Sequence, residues 1–408
     1  MHPTFFKKLA LILVLLGFLV VALSTYEFFS PQNNAFLTVV LSGFLYILVV
    51  DLFFRGLVRY KTGRNYRLIP KLPFDKMYVE PHPYLTFAYK KNFLTQKSEG
   101  AYYPLNSDKG YSFGQSHINN LGFINGPDGG REIIIPKPEG LFRIHCLGAS
   151  STGNRIAHKG VEHSYPLHLE KILREQFPEK AIEVNNSGIG GYTTAEILIT
   201  YLLKIFDAKP DLVVIYHGYN DLGPSLTPDF QSDYSHARRN FGETYYKYKK
   251  FSNIPYIPIG FINFFINVFF PQNSRYALIP SISRGKANIN TDFKGLATYA
   301  RNIEHIINIC KNSQTKVVLS TFCHHLYKDI ENDPVHLKYH EGVLQENEIM
   351  RELARKHSIP LVDNQKLIPL DDRYFVDSIH FSPEGMKEIA NNLSKPIMEY
   401  IYGQKNLA

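Results

Sequence analysis

Four short stretches of the chain hold the residue types that acyl transfer needs. Gly148-Ala149-Ser150 offers a serine hydroxyl just past the end of an apolar run, Phe142 to Leu147. Asn186-Ser187-Gly188-Ile189-Gly190-Gly191-Tyr192-Thr193 is rich in glycine, which lets backbone N–H groups come close to an oxyanion. His217-Gly218-Tyr219-Asn220-Asp221 presents the Asn220 side-chain amide to the same charge. Asp377-Ser378-Ile379-His380 sets a carboxylate and an imidazole close enough to meet in a tight turn. A serine hydroxyl is a weak nucleophile without a neighbouring base. A carboxylate behind an imidazole fixes its tautomer and orientation.

These stretches are far apart in sequence, so the fold must gather them. Segments 142–147, 181–186, 211–216, 315–322 and 359–362 read as strands. Helices are expected near 165–177, Thr194 to Phe206, 292–311, 340–357 and Pro383 to Tyr402. Ser382 is the expected N-cap of the last, with Pro383 at its first position. Strands alternating with helices predict an α/β domain whose parallel sheet is covered on both faces. In a flavodoxin-like order the first and third strands are neighbours, and a crevice opens at their carboxyl ends. The first three chemistry-bearing loops then share one edge.

In this order the four blocks resemble the SGNH, or GDSL-type, hydrolase family: Gly-x-Ser, a glycine block opened by Asn, Gly-x-Asn-Asp, and Asp-x-x-His. The resemblance spans 142–400 and implies a flavodoxin-like three-layer sandwich. It further implies a catalytic triad of Ser150, Asp377 and His380, with an oxyanion hole from Ser150 N–H, Gly191 and Asn220. Asn120-Leu121-Gly122-Phe123 is similar to the approach segment of bacterial members. Ala149 stands where the best-known signature has an acid, which removes a polar group beside the nucleophile. Ser151 is the rival hydroxyl, and the glycine two residues before Ser150 favours Ser150. Asp221 and His217 read as structural.

The chain has 408 residues, 20% charged and 44% hydrophobic, which excludes a disordered protein. The net charge of +8 comes without a basic helix or a basic–aromatic repeat, so no nucleic-acid partner is expected. Cys146, Cys310 and Cys323 have no disulfide spacing, and Cys146 reads as a core residue. His324-His325 follows the fourth strand, where either could line a pocket. His336 and His340 stand four apart on a helix, as metal ligands can, but nothing completes a site. Neither metal nor cofactor is expected.

Residues 9–29 and 35–54 are apolar and about long enough to cross a bilayer. They predict a transmembrane hairpin within 1–60; a signal peptide cleaved near Ala22-Leu23-Ser24 is the other reading of the first segment. Lys7 and Lys8 precede the hairpin, and Arg55, Arg59, Lys61, Arg64, Arg67 and Lys71 follow it. The connecting Ser30-Pro31-Gln32-Asn33-Asn34 has no basic residue, so positive charge favours both ends in the cytoplasm over the outer face. Residues 61–140 read as a linker and β-rich lead-in, including a strand-like Glu132 to Ile135. The hydrolase domain is expected over 141–402. Within its insert, 223–290, lies the apolar run Phe261 to Phe270, read as a buried helix or a lid.

The expectation is a multi-pass protein, of the bacterial inner membrane, that removes O-acyl or O-acetyl groups from lipid, glycan or acylated small molecules. An O-acyltransferase using the same triad is one alternative. A non-catalytic envelope or scaffold protein on the same fold is the other.

Overall fold

The computed structural model describes residue 43 and residues 78–80, 82–94, 98–102, 111–113, 117–125, 131–153, 164–237, 287–327 and 330–405. The expected hairpin lies outside them apart from Gly43, as does Phe261 to Phe270. Among the described residues no helix is long and apolar enough to cross a membrane.

Among its described residues the lead-in forms three two-stranded antiparallel ribbons. β1 (Val79–Glu80) pairs with β2 (Ala88–Tyr89), β3 (Phe93–Leu94) with β6 (His117–Ile118), and β4 (Ser98–Tyr102) with β5 (Tyr111–Phe113). Glu132 to Ile135 is not a strand, contrary to its composition. Asn120 takes its partners instead: its side chain donates to the Ile133 carbonyl and accepts the Ile133 N–H. Ile134 is 60% exposed, so the apolar run builds no sheet face.

The main sheet has five parallel strands: β7 (Phe142–Gly148), β8 (Ile182–Gly188), β9 (Leu212–Tyr216), β10 (Lys316–Ser320) and β11 (Leu361–Val362). Their order is β11-β10-β9-β7-β8, so β7 and β9, the first and third, are neighbours. The inner strands Leu-Val-Val-Ile-Tyr and Val-Val-Leu are buried, as strands covered on both faces must be. On one face Ile144, Cys146, Val214 and Tyr216 join Leu169 and Leu173 of α2 (Tyr165–Gln176) and Ile389 and Leu393 of the terminal helix. The other face is flanked by α3 (Thr194–Thr200) and α5 (Leu296–Asn312), which pack together. Between α3 and α5, Leu222–Ser225 forms the short α4.

Helix ends depart most from expectation. The predicted helix Thr194 to Phe206 keeps α geometry only to Thr200. It then widens to a π turn (Tyr201–Ile205), tightens over Phe206–Ala208, and stops at left-handed Lys209. α6 (Pro334–His357) starts six residues before the expected 340. The apolar rhythm misses that turn because Val335 and Leu337 are exposed. Asp333 caps it by accepting the Val335 and His336 N–H groups, with Pro334 at the first position. After the short α7 (Asn364–Leu367), α8 (Pro383–Lys405) carries the expected cap, Ser382, whose hydroxyl accepts the Gly385 N–H at 3.1 Å. β8 reaches Gly188, so the strand runs two residues past the expected end at Asn186, and Asn186, Ser187 and Gly188 of the glycine block all lie in the strand. They pair with Cys146, Leu147 and Gly148.

One buried polar group makes the fold sensitive to pH. His145 lies inside the sheet, with Nδ1 2.9 Å from Ser187 Oγ. Burial, then the Arg143 and Arg131 charges, lowers its pKa to about 3. The unfolded chain titrates it near 6.5, so between those values the unfolded state binds the extra proton. The stability this neutral imidazole contributes is complete above about pH 6.5 and falls as pH drops towards 3, by about 1.4 kcal/mol per pH unit. Urea unfolding at about pH 7.5 and pH 5 should show a loss that His145→Gln reduces by about 2 kcal/mol. An equal loss in the variant would show that His145 does not carry it.

Candidate active site

At the carboxyl end of β7 the chain turns abruptly into α1 (Ser150–Gly153). Gly148 makes this possible. A Cβ there would sit 2.1 Å from Thr152 Oγ1 and 2.4 Å from the Tyr216 carbonyl. Thr152 instead donates to that carbonyl at 3.2 Å, tying the turn to β9. Ser150 thereby stands at the edge where β7 and β9 adjoin.

The imidazole reaches it from the other end of the chain. The bridge between Phe375 and Phe381 closes the turn before α8, and Val376 N–H bonds to the His380 carbonyl. Inside it, Asp377 Oδ1 accepts the backbone N–H groups of Ile379 and His380. His380 Nδ1 lies 2.7 Å from Asp377 Oδ2, and Nε2 lies 2.8 Å from Ser150 Oγ. A carboxylate only accepts, so Nδ1 carries the proton and Nε2 is free to take one from Ser150. Burial raises the Asp377 pKa, but the His380 imidazole and the two backbone N–H groups outweigh it. The carboxyl is held below its ordinary range. The neighbouring Ser151 hydroxyl instead donates to the Ile379 carbonyl at 2.8 Å, holding the histidine turn.

The glycine loop after β8 passes close by. A Cβ on Gly190 would lie 3.6 Å from Ser150 Cβ and 3.9 Å from the Tyr89 hydroxyl. Gly190 N–H donates to that hydroxyl, and Tyr192 N–H to the Ile189 carbonyl. Gly191 lies between them, exposed, with φ +82°, a conformation glycine takes without strain. Asn220 donates one side-chain N–H to the Tyr192 carbonyl at 2.9 Å, which joins the β8 and β9 loops. An amide has a second N–H, which can serve an oxyanion.

Asp221 is a structural hub. Its carboxylate accepts the Thr194 N–H and hydroxyl and the Tyr234 hydroxyl, and lies 2.8 Å from His217 Nε2. Of the other histidines, His325 bonds to Asp372 and stacks on Phe375. His324 Nδ1 faces His340 Nδ1 at 2.9 Å, and His336 pairs with Asp333. Among the described residues no group of three or more His, Cys, Asp and Glu side chains is arranged to hold a metal.

Two contributors escaped sequence reasoning. The lead-in braces the glycine loop through Tyr89, through the Phe87 carbonyl that accepts the Tyr192 hydroxyl at 2.6 Å, and through Thr86, which donates to Glu196. Glu346 of α6 accepts the Tyr219 N–H at 2.8 Å. Burial and the nearby Asp221 carboxylate push its pKa well up, against the opposing pull of that bond. No local pattern marks either group; Glu346 sits on the buried face of a helix, where an acid is rare.

The family model for GDSL-like lipase/acylhydrolase proteins matches residues 146–388, which takes in all four blocks. The chain belongs to this family. The hydrolase is thus a carboxylic ester hydrolase by descent, with the family's α/β fold and parallel sheet. Among solved structures it is similar to LAE5, an alpha/beta hydrolase from the metagenome of Lake Arreo, at 16% identity and TM-score 0.39, over 62% of this chain and 94% of that one. It is similar to Axe2, an acetylxylan esterase from Geobacillus stearothermophilus, at 16% and 0.39, over 63% and 94%. A GDSL-like lipase from Bacteroides thetaiotaomicron follows at 15% and 0.35, over 63% and 88%. No curated protein matches the hydrolase.

Proposed function

We propose that the protein is a membrane-anchored serine esterase that removes O-acyl or O-acetyl groups from lipid or carbohydrate. The observation that carries the catalytic part is the 2.8 Å contact between Ser150 Oγ and His380 Nε2, backed by Asp377 on Nδ1. Ser150 attacks the ester carbonyl as His380 takes its proton. Asp377 keeps Nε2 available and stabilises the imidazolium that forms. The N–H groups of Ser150 and Gly191 and the Asn220 amide receive the oxyanion. His380 then protonates the departing alcohol. Water, with His380 as base, releases the acid and restores Ser150.

Anchoring rests on the apolar segments 9–29 and 35–54 and on the basic residues flanking them. They form a hairpin within 1–60 in a bacterial inner membrane. The lead-in (61–140) and the hydrolase domain (141–402, with its insert 223–290) then lie on the cytoplasmic face. A reporter fused after Arg67 should be active only in its cytoplasmic form; activity of a form that works only outside the membrane would reverse the topology.

Hydrolysis of short and long acyl esters, with Ser150→Ala as control, tests the reaction and ranks acyl length. Free acid released by wild type alone is the expected result. Product forming only when an acceptor alcohol is added would make the enzyme a transferase.

A further inference from the structure

Glu346 is 1% exposed, yet it is an acid on a helix with no cation bonded to it among the described residues. Its Oε2 accepts the Tyr219 N–H at 2.8 Å, and Oε1 has no hydrogen-bond partner among the described residues. Tyr219 has φ +76°, a left-handed conformation costly for a residue with a side chain. Such a conformation lasts only where its surroundings hold it. The next residue is Asn220.

Helix α6 is built to come this close. A Cβ on Gly342 would lie 2.6 Å from Leu222 Cδ2 and 2.6 Å from Phe293 Cζ, so the glycine lets the helix settle against both side chains without displacing them. Glu346 is one turn further along the same face. Its neighbour Asn347 bonds both the N–H and the carbonyl of Phe322, in the loop after β10. Adjacent residues of one helix therefore grip both loops, and the Phe322 ring fills the space beside Gly218.

We propose that Glu346 is a positioning residue: its buried carboxyl group holds Tyr219 in the left-handed turn and thereby aims the Asn220 amide at the oxyanion. The proposal rests on the reading of Asn220 as an oxyanion donor. Glu346 touches no reacting atom. It acts through the backbone of Tyr219, whose ring is held separately by Tyr339 and His324 at centroid distances of 5.0 and 5.6 Å.

Steady-state kinetics on one short acyl ester, with circular dichroism as a check on folding, provide the test. Asn220→Ala sets the scale, an expected loss in kcat of about 10²–10³-fold. Glu346→Met, which fills the space without an acceptor, should lower kcat by roughly 10–100-fold and move KM by about twofold or less. Glu346→Gln keeps an acceptor oxygen and should recover most of the kcat that Met loses. In a Tyr219→Gly background, where φ +76° is free of strain, Glu346→Met should have little further effect. A folded Glu346→Met with wild-type kcat overturns the proposal while the oxyanion reading stands. So does a Glu346→Gln as slow as Asn220→Ala, a test that holds even where the Met variant does not fold. Wild-type kcat in Asn220→Ala removes the oxyanion reading and the proposal together.

Discussion

Ser150→Ala or His380→Ala should lower kcat/KM on a simple acyl ester by roughly 10⁴-fold or more. Each group is useless without the other: the hydroxyl has no base, or the imidazole has no nucleophile to deprotonate. The double variant should therefore be little slower than either single one. Asp377→Asn should cost about 10⁴-fold in kcat by a different route. An amide can donate to Nδ1, which shifts the imidazole to the tautomer that cannot accept from Ser150. Ser150 is half-buried and His380 buried, so the circular dichroism of each variant is compared with wild type before its rate is read. Additive losses in the double variant would show that the two do not act as a unit.

The second large effect concerns stability. Arg143 is fully buried on β7, with Nε 2.9 Å from Glu183 Oε1 on β8. Its Nη1 donates to the carbonyls of Ile134 and Ala208, and Nη2 has no partner among the described residues. Glu183 also accepts from the Asn185 amide. Glu183→Ala strands a guanidinium charge in the core, at an expected cost of about 3–5 kcal/mol. Arg143→Met with Glu183→Leu replaces both charges by apolar groups and should recover much of that loss. Urea denaturation measures both. If Glu183→Ala unfolds like wild type, the charge reaches solvent and the burial argument fails.

What was legible in the sequence follows from physical locality. Strand β9 is uniformly apolar and β10 carries a Val-Val-Leu centre because both their faces are covered, so the strands could be read directly; the shared edge of the loops followed only once a flavodoxin-like order was assumed. Asp377 and His380 sit in one closed turn, so their spacing allowed the contact the structure shows. The strand assigned to Glu132–Ile135 failed because side chains of Asn120, 13 residues away, captured the backbone groups a strand would use. The expected strand stopped at Asn186 because polar Ser187 and then Gly188 look like loop residues; both are buried beside β7. The kink after Thr200 and the early start of α6 lay outside the apolar rhythm, although Asp333-Pro334 marked the latter. Tyr89 and Glu346 were invisible, since each matters only through a backbone N–H brought near by tertiary packing.

A fluorophosphonate carries the whole account to one atom, because it bonds only to a serine that its own active site has activated. Incubated with the wild-type protein and digested, the probe should be found by mass spectrometry on Ser150. Labelling should disappear in Ser150→Ala and in His380→Ala. A probe found on Ser151, or a His380→Ala variant labelled as fast as wild type, would contradict the proposed triad.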